Sequence, residues 1–176
     1  MSSRRNAVRI LGLAQVALLL PVLEMERRMR RTGGPGIVAF ELAGTPERAK
    51  KITSKWGAEG QAAARVSLVL DYPFLVTYSG LQFIGCAAAA EELRDRPGGN
   101  ALAAAGRVIA PAQIAAGAFD AVENTALLGI VAGRGGRLPA AVARACALAK
   151  FALLTVGGLY RALGIASRLA RGVHSD

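Results

Sequence analysis

Between Ala115 and Gly133 the chain reads AAGAFDAVENTALLGIVAG, an apolar run long enough to cross a bilayer that nevertheless holds Asp120, Glu123 and Asn124. The three are spaced i, i+3, i+4, so on a helix they share one face. Ionisable groups are costly in hydrocarbon and turn toward a bundle interior or a wet cavity. This stretch therefore needs other helices around it.

The rest of the sequence supplies them. Hydrophobic residues make up 53% of the 176 and aromatics only 5%. The charges gather in blocks between apolar runs, as in membrane proteins. The length fits one domain, 1–176. Abundant glycine suits close helix approach. In a soluble protein the net charge of +10 would point to nucleic acid. Here the basic residues flank apolar spans and base-stacking aromatics are scarce, so anionic headgroups explain the charge and no nucleic-acid partner is expected. The excess of arginine over lysine fits a GC-rich bacterial source, and with it a multi-pass protein of the bacterial inner (plasma) membrane.

Taken in order, Arg4, Arg5 and Arg9 precede a first apolar run, ILGLAQVALLLPVL. It resembles a secretory signal, but no small-x-small cleavage site follows, so an uncleaved span over about 7–23 is expected, kinked near Pro21, with Glu24 solvated at the interface. Residues 24–64 read as a long polar connection with a TGGPG turn. Thr45-Pro46-Glu47 is a helix start, with Thr at N-cap and Pro at N1. The helix it opens, about 46–57, places Ala49, Ile52 and Trp56 on one side and lysines off it. It is expected to lie on the headgroups with Trp56 at the interface. A second span runs over about 66–90, roughly 37 Å of helix. A third covers about 108–132 and a fourth about 138–164, with the tail from Ile165 to Asp176 fraying. The fold expected is an all-α, four-span transmembrane helix bundle with an amphipathic interfacial helix between spans one and two. A small margin in flanking Lys and Arg places both termini outside the cytoplasm.

Spans three and four are joined by the short turn GRGGR and must be antiparallel neighbours. Counted outward from that turn, Asp120 and Lys150 fall at the same depth, near mid-span. A charge there costs about 2.5–3.5 kcal/mol on insertion scales, so an Asp facing a Lys is the expected compensation. Glu123 lies one turn away, and Asn124 can donate to a carboxylate. The same counting across the longer turn EELRDRPGGN brings Tyr78 near the depth of Asp120 and Asp71 about one turn beyond Glu123. Three acids against one ammonium are unbalanced. Either an acid holds a proton, or a cation or cationic ligand joins them.

The segments LDYPFLVTYSG, FDAVEN and AKF resemble marks of small bacterial membrane proteins with about four spans. The likeness covers most of the chain and implies the membrane location, with no activity attached to it.

Three functions follow as expectations. The first is a pocket for a lipid or other apolar molecule with a polar head, with Asp120 and Glu123 as acid/base or head-group acceptors, Lys150 as counter-ion, and Asp71, Tyr78 and Asn124 as binding partners. The second is a structural or accessory subunit that meets a membrane-protein partner, or its own copy, through small-residue faces such as Gly129 and Gly133. The third is proton or cation translocation. No nucleophile stands beside a base, which disfavours a Ser or Cys triad; carboxylate-driven proton transfer stays open. Cys86 and Cys146 lie singly in apolar spans and His174 is the only histidine, so no cofactor and no zinc site is expected. Oxygen ligands would suit magnesium or calcium, but Lys150 would compete with the metal.

Overall fold

The computed structural model describes residues 2–94, 96 and 98–172. Among these it is all-helical: α1 (Ser2–Arg31), α2 (Ile37–Glu41), α3 (Pro46–Arg94), α4 (Gly99–Val131) and α5 (Arg137–Gly172). Four of them, all but α2, are long and apolar enough to cross a membrane. The chain is thus a multi-pass membrane protein by length and composition. His174 lies outside the described residues.

Helix α3 starts as its sequence dictates. The Thr45 hydroxyl accepts the Arg48 N–H at 3.3 Å. Glu47 sits among unpaired N–H groups of the first turn; its own backbone N–H, then the Thr45 hydroxyl, hold its carboxyl below the usual range. At Gly57 the backbone leaves helical geometry, with φ 57° and ψ −162°, a conformation that costs glycine least. That kink separates an amphipathic piece, with Lys50, Lys51 and Lys55 exposed, from the membrane-length remainder of α3.

Trp56 corrects the expectation of a headgroup contact. It is 1% exposed. Its ring meets Phe40 edge-on at 5.1 Å between centroids, and its indole N–H donates to the Pro35 carbonyl at 2.7 Å. Both halves of an amphipathic side chain are satisfied inside the protein, so it has no need of the membrane interface.

Helices α3, α4 and α5 pack against one another, whereas α1 packs chiefly against α3. The bundle is layered. Met29, Phe40, Trp56, Leu68 and Leu127 form an apolar core at one end; Cys86, Leu93, Ala110 and Tyr160 form another at the opposite end. Polar side chains lie between them. The fourth span does not fray at Ile165: α5 continues to Gly172, because Ser167 is buried and its carbonyl accepts from Arg96 at 2.8 Å, while Arg171 pairs with Glu92. A helical GxxxG face at Gly129 and Gly133 is also absent. Helix α4 ends at Val131, and Gly133 serves the turn with φ 81°.

Candidate functional site

The middle layer is built by four elements. α4 presents Asp120, Glu123 and Asn124 on one buried face, as their spacing requires. α5 brings Lys150, whose Nζ lies 2.8 Å from Asp120 Oδ1 and 2.9 Å from Glu123 Oε2. From α3, the Tyr78 hydroxyl donates to Asp120 Oδ2 at 2.7 Å. Asp71, also on α3, accepts the Asn124 amide at 2.7 Å. All six residues singled out from the sequence therefore meet in one layer, as two bonded groups: Tyr78, Asp120, Lys150 and Glu123 in one, Asp71 and Asn124 in the other. The depth count from GRGGR was sufficient for the pair Asp120–Lys150, and the weaker count across the longer turn held for Tyr78 and Asp71.

A fourth acid joins them from the segment read as a polar connection. Glu41, at the end of α2, is 8% exposed, and its Oε2 lies 3.7 Å from Lys150 Nζ. The signal for it was present: IVAFELA is an apolar run broken by one acid, as FDAVEN is. It is too short to span, and so was absorbed into the connection. What brings it inward is anchoring at the other end of α2. The Glu26 carboxylate of α1 accepts the Ile37 N–H at 2.8 Å, capping a helix whose N-cap glycine has no side chain to do so.

Three carboxylates now pair with one ammonium, and a fourth, Asp71, lies in the same layer, where Lys150, Asp120 and Glu123 side chains are 7%, 3% and 0% exposed. A buried charge without a partner costs several kcal/mol, so the excess negative charge must be met by protons or by a cation. Glu41 Oε2 and Glu123 Oε1 have no hydrogen-bond partner among the described residues. No group of His, Cys, Asp and Glu there has the arrangement of a metal site.

A cleft of about 530 Å³ opens onto this layer. Glu41, Asp71, Tyr78, Asp120 and Lys150 line its polar part, together with Gln82 and Arg161. Phe74, Leu81, Phe151 and Leu154 supply apolar wall, and Gln15 of α1 reaches in from the side. Glu123 and Asn124 do not line it; they stand behind the groups that do, holding Lys150 and Asp71.

One further polar residue went unnoticed in the sequence. Gln113 is fully buried and donates from Nε2 to the carbonyls of Leu153, at 3.1 Å, and Ile109, at 3.2 Å. It ties α4 to α5 one layer away from Lys150.

Four membrane-length helices, three of which enclose a buried acid–lysine centre, define an integral membrane protein with a buried polar site. No family model matches the chain, and neither a curated protein nor a solved structure matches it.

Proposed function

We propose that this protein binds an apolar molecule with a cationic head, the tail lying along the cleft and the head against Glu41, Asp71 and Asp120. The observation that carries this reading is the acid excess at the cleft: Glu41, Asp71 and Asp120 line it against two cations, Lys150 and Arg161, with Glu123 buried behind them, and Glu41 Oε2 there lacks a hydrogen-bond partner. A cationic head would supply the missing positive charge. Phe74 on the same wall favours a cation over a neutral head, while Phe151 already carries Lys150 Nζ at 4.9 Å from its ring centroid. Lys150 acts as the fixed counter-ion for Asp120 and Glu123, while Tyr78 and Asn124 hold Asp120 and Asp71 in place. A protonated amine head would also give these carboxylates a proton to accept, which is the acid–base chemistry such a site can offer. The bacterial inner membrane is the location proposed with this role.

The ion pairs of Lys150 also join α2, α4 and α5, which favours an architectural role for the same residues. Ligand binding separates the two. In neutral detergent, native mass spectrometry of the purified chain should retain oleylamine at least about tenfold more tightly than oleyl alcohol, a difference of about 1.4 kcal/mol. That preference should fall to near one in Glu41→Gln/Asp71→Asn. Equal retention of amine and alcohol by the unaltered protein would leave only the architectural role.

A further inference from the structure

A second groove, of about 550 Å³, lies between the start of α1, the last third of α3 and Arg161 of α5. Arg4, Arg5, Arg9 and Arg161 line it. Arg4, Arg5 and Arg9 lie in the first turns of α1, and Arg161 lies within α5 beside Tyr160, whose hydroxyl reaches Leu102 in the first turn of α4. Its floor is apolar: Leu81, Ile84 and Ala88 from α3.

Two of the four arginines are held in position. Arg4 pairs with Glu91 at 2.8 Å and donates to the Ile84 carbonyl at 3.1 Å. Arg161 donates to the Gln82 side-chain oxygen and lies directly across the Gly85 backbone, where any Cβ would collide with its guanidinium. Glycine at 85 is what lets this arginine lie flat against α3. Arg5 and Arg9 are exposed and make no hydrogen bond or ion pair among the described residues. Four guanidinium groups thus face one carboxylate over an apolar floor.

We propose that this groove seats an anionic phospholipid, its phosphate on the arginines and an acyl chain on the α3 floor. Guanidinium forks match phosphate oxygens in pairs, and basic pockets between membrane helices suit anionic headgroups. The apolar floor selects a lipid over free phosphate. Helix α1, packed chiefly on α3, leaves the flank through which such a lipid enters. The groove shares Arg161 and Leu81 with the acid–lysine cleft, but Arg5 and Arg9 do not line that cleft.

The test is native mass spectrometry of the full chain in neutral detergent with added phosphatidylglycerol, phosphatidylcholine or inorganic phosphate. Phosphatidylglycerol should be retained, phosphatidylcholine retained less, and inorganic phosphate should not displace either. Arg5→Gln/Arg9→Gln should weaken phosphatidylglycerol retention about thirtyfold, since each interfacial arginine contributes on the order of 1 kcal/mol. Its melting temperature without lipid should be unchanged, because neither side chain holds the fold. Arg134→Gln/Arg137→Gln removes the same charge from the opposite face and should change retention less than threefold. Arg5→Lys/Arg9→Lys should keep most of it. Equal losses in the two Gln pairs, or competition by inorganic phosphate, would overturn the proposal.

Discussion

α1 and α4 are apolar helices of similar length, 30 and 33 residues, in opposite situations. α4 buries Gln113, Asp120, Glu123, Asn124 and Leu127. α1 buries nothing fully between Ser3 and Arg28, and leaves Ile10, Leu13 and Leu20 about two-thirds exposed or more, at 67%, 73% and 66%. Hydropathy does not separate them, since lipid tails are as apolar as leucine and give no drive for one apolar helix to bury itself against another. What separates them is the placement of polar groups. α4 carries its polar residues on one face at mid-depth; α1 keeps its charges at its ends. The helix with something to hide becomes the centre.

Removing the charge that the centre is built on should have the largest effect. Lys150→Met strands Asp120, Glu123 and Glu41 together and should lower stability by about 3–5 kcal/mol in mixed-micelle unfolding. Leu127→Ala, in the fully buried apolar end of α4, should cost about 3 kcal/mol. Asn124→Ala removes the donor to Asp71 and should cost about 1–3 kcal/mol. Leu13→Ala on α1 should stay within about 0.5 kcal/mol, because its side chain meets lipid. Similar losses from Leu13→Ala and Leu127→Ala would break the contrast between the two helices.

The sequence carried the bundle and most of its centre, for reasons that can be named. The short GRGGR turn forces α4 and α5 together, so residue counting alone aligns Asp120 with Lys150. Thr45, Pro46 and Glu47 mark a helix start through local capping chemistry, which needs no tertiary context. Glu41 was hidden because α2 is five residues long and owes its inward position to Glu26 of α1, a contact no local pattern encodes. Trp56 was misplaced for the same reason: its partners, Pro35 and Phe40, lie across a turn whose path depends on packing. The docked end of α5 depends on Arg96, in a different turn. The peripheral place of α1 cannot be read from hydropathy, which scores lipid-facing and protein-facing leucines alike.

A double-mutant cycle on Asp120→Asn and Lys150→Met reads the bond at the heart of the site. Direct contact in a buried layer predicts a coupling of about 2 kcal/mol, with the second substitution costing far less once the first is made. Strictly additive losses would mean that the two groups do not hold one another, and the shared counter-ion on which the polar centre rests would be gone.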